Sequence, residues 1–143
     1  MKVISIRQPW VTLIALGEKE YETRSWQVKY RGILGIHASK NIDHKAFRDN
    51  AVSTILAKYG IKKAEELPTG VILAVCKLKA CLKVEYQNDD HAILQTNHLI
   101  TGKEFAFGDF SVGRYVWQLA NVQQLPEMIE AKGKFGLWEY KES

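Results

Sequence analysis

At 143 residues, 46% apolar and 25% charged, the chain is long enough to bury a core without disulfides or metal, and its composition argues against disorder. Twenty Lys and Arg against 16 Asp and Glu leave a net charge of +4 and a pI of about 9.0, which leans toward polyanionic partners without identifying one. No apolar run approaches the roughly 20 residues a spanning helix needs. The opening M-K-V-I-S-I-R lacks a secretory signal's apolar stretch and cleavage site, so a single cytoplasmic domain over residues 1–143 is expected, with no membrane partner.

Residues Val3 to Arg7 alternate as a first strand, with Val3, Ser5 and Arg7 on one face and Ile4 and Ile6 on the other, so Ser5 and Arg7 are placed to line a groove. Pro9 suits the first turn of a short helix whose apolar stripe is Trp10, Leu13 and Ile14, and Gly17 is suited to end it in the left-handed conformation. The stretch from Gly17 to Trp26, G-E-K-E-Y-E-T-R-S-W, is too dense in charge for a core strand and too ordered for a random surface loop. It reads as a tight turn at Lys19 and then a strand from Glu20, with Glu20, Glu22, Arg24 and Trp26 on one face and Tyr21, Thr23 and Ser25 on the other. A basic turn, V-K-Y-R-G, leads to the strand I-L-G-I-H-A-S-K, which ends in His37, Ser39 and Lys40.

Asp43 is placed to cap a helix running to about Tyr59, with Gly60 after it, and I-K-K-A-E-E-L-P adds a helical turn before Pro68. Val71 to about Glu85 reads as the central strand, bent by a bulge, with Cys76 and Cys81 as buried free thiols of a reducing compartment. Residues Tyr86 to Thr101 read as a loop with a short helix, and F-A-F-G-D-F-S-V-G-R is turn-rich. The strand Y-V-W-Q-L-A-N-V, the loop A-K-G-K-F-G and a closing strand L-W-E-Y-K complete the chain. Six or seven short strands and two to four helices, without regular strand–helix alternation, predict an α+β domain on a small mixed, mainly antiparallel β-barrel.

Lys19 and Arg24 supply fixed positive charge, and Glu22 supplies a carboxylate able to pair with either. A desolvated Lys19 beside Arg24 can act as base or nucleophile; paired with Glu22 it stays a cation for a phosphate or carbonyl oxygen. The same charges can equally be an ion-pair network that holds the turn. Trp10, Trp26, Tyr30, Tyr115 and Trp117 interleave with Arg7, Lys29, Arg31 and Arg114, the mixture that single-stranded nucleic acids favour, although Trp117 and Trp138 are expected mainly in the core. His37, His44, His91 and His98 show no ligand spacing, the cysteines form no C-x-x-C, and there is no P-loop or G-x-S-x-G, so neither metal nor cofactor is expected. Ser5, Ser39 or Ser111 can serve as a nucleophile only if folding brings a base to it. The A-K-G-K-F-G loop can hold a phosphate through backbone N–H groups and Lys132 or Lys134, or be a plain surface turn.

Gly17, Lys19, Glu22 and Arg24 spell G-x-K-x-x-E-x-R, which resembles the signature of the ASCH family of PUA-like β-barrel domains. S-I-R-Q-P-W, Y-R-G, I-H-A-S-K, F-G-D-F, G-R-Y-V-W and K-G-K-F-G-L-W resemble the same family, so the likeness covers nearly the full chain. It implies a cleft suited to RNA, single-stranded, or to a nucleoside or nucleotide. Joined to the reading above, this gives Ser5, Arg7, Trp10, Lys19, Glu22, Arg24, Trp26, Tyr30, Ser39 and Lys40 as ligand-binding residues. Some members of the family are amidohydrolases that deacetylate acetylcytidine with a lysine, a threonine and a glutamate; others are ribonucleases or nucleic-acid binders. Placing Lys19 on the catalytic lysine puts Glu22 where the amidohydrolase has its threonine, and Thr23 falls on the opposite strand face. Binding is therefore the first expectation, a hydrolase using Lys19 and Glu22 the alternative, and a structural or protein-interaction role the third.

Overall fold

A computed structural model describes residues 1–142. Among the described residues there are eight strands and four α-helices: β1 (Lys2–Gln8), α1 (Trp10–Ala15), β2 (Tyr21–Arg24), β3 (Gly32–Ile42), α2 (His44–Arg48), α3 (Asn50–Lys58), β4 (Val71–Gln87), β5 (His91–Leu94), β6 (His98–Thr101), α4 (Gly102–Ala106), β7 (Tyr115–Glu130) and β8 (Leu137–Glu139). They form two units interleaved in sequence. The first gathers Met1–Glu18, Leu34–Val75 and the chain from Val122 on; the second gathers Lys19–Ile33 and Cys76–Asn121. The α+β class and the mixed, mainly antiparallel sheet of the expected small barrel are present; the strand path β2-β7-β4-β3-β1-β8 is not closed, and β5 pairs with β4 and with β6.

In the first unit β1 lies parallel to β3 and antiparallel to β8. Val3, Ile72 and Trp138 are buried together, with Leu125, Ile129, Ala131 and Tyr140 packed against them. Helix α1 buries Val11 to Ala15 and ends as its glycine implied: Gly17 sits at φ +79°, its N–H bonds to Ile14 O, and Glu18 N–H bonds to Leu13 O. Its start is also where Pro9 implied, with Pro9 in the capping position and its carbonyl accepting from Leu13 N–H. Pro9 follows a cis peptide bond, and the buried Gln8 side chain accepts from Thr12 N–H and donates to Pro68 O. Asp43 caps a helix as expected, accepting from Ala46 N–H at 3.0 Å, but the long helix to Tyr59 is broken into α2 and α3. Asp49 leaves helical geometry at ψ 132° to accept from Ala51 and Val52 N–H, a second cap where continuous helix was read.

In the second unit β2 pairs antiparallel with β7, and β5 with β4 and with β6. The anticipated bulge in β4 lies between Val84 and Tyr86. The expected loop and short helix over Tyr86–Thr101 are instead the β5–β6 hairpin, joined by a 3-10 turn in which Thr96 and Asn97 take positive φ. The hairpin carries Ala92, Leu94 and Ile100 into a core with Tyr21, Val84, Phe110 and Val116. Cys76 and Cys81 are free and buried, and burial pushes the Cys76 thiol up to about 12.

Candidate functional site

The stretch after α1 delivers Lys19 into the interior of the second unit, where only 2% of its side chain is exposed. Its Nζ lies 3.5 Å from Glu104 Oε1, on α4. Burial pushes the lysine's pKa down, and the Glu104 and Glu22 carboxylates push it partly back. Glu104 is itself fixed, since its two oxygens accept from the backbone N–H of Glu20, at 2.8 Å, and of Tyr21, at 3.3 Å. Sequence reading did not single out Glu104. It stands 85 positions from Lys19 in an unremarked T-G-K-E stretch, and only the fold makes it the lysine's partner.

Strand β2 places the rest of the set. Glu22 stands opposite Trp117 and Arg24 opposite Tyr115, so the four side chains share one face of the β2–β7 pair. Arg24 donates from Nη2, at 2.8 Å, and from Nε, at 3.1 Å, to Glu22 Oε2, while Glu22 Oε1 accepts from Thr23 N–H. A carboxylate has about four acceptor sites, so Oε1 retains capacity. Trp26 is half-buried and meets the fully buried Trp117 edge to face, with ring centroids 5.0 Å apart. Among the described residues the Trp117 Nε1 atom has no hydrogen-bond partner.

Other expected participants have structural duties. Thr23 Oγ1 accepts from Asp109 N–H, and Arg114 donates to Asp109 O and Thr23 O, which ties the 109–114 turn to β2. Ser111 donates to the Asp109 carboxylate, the first cause of that acid's lowered pKa. Tyr30 donates to Ile33 O, and Arg31 donates to Val28 O and Tyr30 O, so the basic turn is bonded onto itself.

Ser5, Arg7, Trp10, Ser39 and Lys40 belong to the first unit. Arg7 and Lys40 are exposed, Arg7 lying 3.9 Å from Asp43, and Trp10 is half-buried. The half-buried Ser39 has a buried Oγ with no hydrogen-bond partner among the described residues. Folding does bring a base to Ser5. Its Oγ is 2.9 Å from His37 Nδ1, and His37 Nε2 lies 2.7 Å from Ala131 O. A carbonyl can only accept, so Nε2 carries the proton and Nδ1 accepts from the serine, which in turn accepts from Trp138 Nε1 at 3.0 Å. Gly133 lies so close that an added Cβ would stand 2.8 Å from both Ser5 Oγ and His37 Cε1. The pair is thus a covered, self-satisfied tie that seats the 131–136 loop.

The family model for the ASCH domain matches residues 4–132. The chain belongs to the ASCH domain family. ASCH domains are PUA-like and in general bind RNA. The chain is also similar to human activating signal cointegrator 1, 32% identical over 85 residues, a match that spans 55% of this chain and 14% of that protein. No helix among the described residues is long and apolar enough to cross a membrane.

Proposed function

We propose that this ASCH domain, acting as one domain over residues 1–143, binds single-stranded RNA by taking one nucleobase, or the corresponding free nucleoside or nucleotide, at Lys19, Glu22 and Arg24. The observation that carries the reading is the charge balance of the buried set. Lys19 and Arg24 stand against Glu22 and Glu104, so a phosphate meets no net attraction there, whereas a base edge bearing both a carbonyl and an amino group meets a fixed donor and a fixed acceptor. Lys19 donates to the ring carbonyl, Glu22 Oε1 accepts from the amino group, Arg24 holds Glu22 in place, and Trp26 offers a stacking edge. These groups are already desolvated and oriented, so binding loses little further rotamer freedom.

Titration calorimetry with the four nucleosides and with short single-stranded RNA tests this. Glu22→Gln is expected to weaken binding about tenfold and alter base preference while leaving the salt slope unchanged, because it removes a base contact and not a phosphate contact. Unaltered affinity and preference would sink the assignment. The acceptor capacity left on Glu22 Oε1 beside the Lys19 cation favours one second reading, in which Glu22 activates water and Lys19 stabilises the oxyanion. Chromatography of acetylcytidine and RNA after incubation with wild type and Lys19→Ala decides it. Product with wild type alone makes the site hydrolytic, and intact substrate in every lane leaves recognition.

A further inference from the structure

The loop from Ala131 to Gly136 is not used by the Lys19 site. Phe135 is exposed at 104% of its reference accessibility, while the other four phenylalanines are buried or half-buried. Lys132 and Lys134 precede it and are exposed, and neither makes an ion pair among the described residues. From Ala131 to Trp138 the sequence contains no acid. The loop is also held at its root. Ala131 N–H donates to Gly70 O at 3.1 Å, Ala131 O accepts from His37, and Gly133 packs directly on Ser5 and His37.

We propose that this loop is a second contact for single-stranded nucleic acid, in which Phe135 stacks on a base and Lys132 and Lys134 hold the neighbouring phosphates. A bare aromatic ring on a seated loop carrying only positive charge matches a ligand that alternates flat apolar faces with negative charges. A single strand is such a ligand. A duplex hides its base faces, so single strands are preferred over duplexes of equal length. The Ser5–His37–Trp138 tie acquires a purpose on this account: it fixes the base of the loop, so the ring is presented without an ordering cost at binding. The contact is separate from the nucleobase reading of Lys19 and requires a strand longer than a mononucleotide.

Fluorescence anisotropy with a labelled oligouridylate tests it, and Phe135 is exposed enough that its replacement leaves the fold intact. Phe135→Ala is expected to weaken oligonucleotide binding about tenfold, at the lower end of the range for a lost stack, Phe135→Trp to retain it, and Phe135→Leu to behave like the alanine variant. Replacing Lys132 and Lys134 together by Ala is expected to reduce the slope of log K against log salt by about 1.4, the contribution of two single-strand phosphates. Ultraviolet crosslinking should place an oligonucleotide adduct on Phe135. Mononucleoside affinity is expected to be the same in Phe135→Ala and wild type, so loss of the loop contact and loss of the Lys19 contact are read on different ligands. Unchanged oligonucleotide affinity in Phe135→Ala overturns the proposal. So does binding to anionic phospholipid vesicles that depends on Phe135 when RNA binding does not, which would make the loop a membrane foot.

Discussion

The second unit gathers formal charges, a buried Lys19 with the half-buried Glu104, Glu22 and Arg24, whereas the first holds a chain of neutral donors and acceptors from Trp138 through Ser5 and His37 to Ala131. In the neutral chain every donor is spent, Trp138 Nε1 on Ser5, the Ser5 hydroxyl on His37 and His37 Nε2 on Ala131 O. The charged set was costly to desolvate and keeps an acceptor on Glu22 Oε1, which is what a recognition site requires. Buried polarity alone therefore does not mark a ligand site; unspent capacity within a fixed frame does. The exposed Lys132–Phe135 loop extends the contrast, because there the neutral chain seats a surface proposed to make the contacts.

The largest effect that can break this comparison comes from removing one charge of the pair. Glu104→Ala leaves Lys19 buried without its carboxylate and is expected to lose about 3–5 kcal/mol of stability in chemical denaturation. Lys19→Met should lose clearly less, since Glu104 keeps its two backbone donors. Equal small losses in both variants would mean that the lysine is not held as a buried cation.

A smaller effect tests the neutral side. Burial lowers the His37 pKa below its ordinary 6.5, so the folded state resists protonation. Above pH 6.5 this residue adds no pH dependence. As pH falls below 6.5 the unfolded chain takes up the proton first, and stability falls until the folded-state pKa is passed. His37→Gln, whose amide can donate to Ala131 and accept from Ser5, is expected to lose about 1 kcal/mol at pH 7 and to remove this contribution. A His37 ring titrating above 6.5 by NMR would reverse the sign and refute the neutral chain.

The smallest expected change sharpens the contrast between frame and surface. Phe135→Ala should alter stability by no more than about 0.5 kcal/mol, although the same substitution is expected to weaken oligonucleotide binding. A thermal midpoint several degrees below wild type would show that the ring packs on the fold and is not presented to solvent.

Much of the local structure was legible because single residues decided it. Gly17 and Gly60 end their helices at positive φ, Asp43 caps α2, and the alternation in Val3–Arg7 and Glu22–Arg24 was strand. The failures have equally local causes. R-D-N inside a helical pattern hid a second cap, and the polar Q-N-D-D-H run concealed a hairpin whose apolar residues are few but fully used. Strand β7 continues eight residues beyond Val122, where the predicted strand stops, and runs through Pro126.

Sequence by itself determined the fold family, the helix ends at Gly17 and Gly60, the Asp43 cap and the placing of Glu22 and Arg24 on one strand face, because each depends on neighbours within a few positions or on a motif spread along the whole chain. Only the tertiary structure decided that Lys19 is buried against Glu104, that Ser5 meets a covered His37, and that Phe135 stands in solvent while its fellow phenylalanines do not. Those outcomes turn on burial and on contacts between segments 32 to 85 residues apart, and neither residue type nor spacing encodes them.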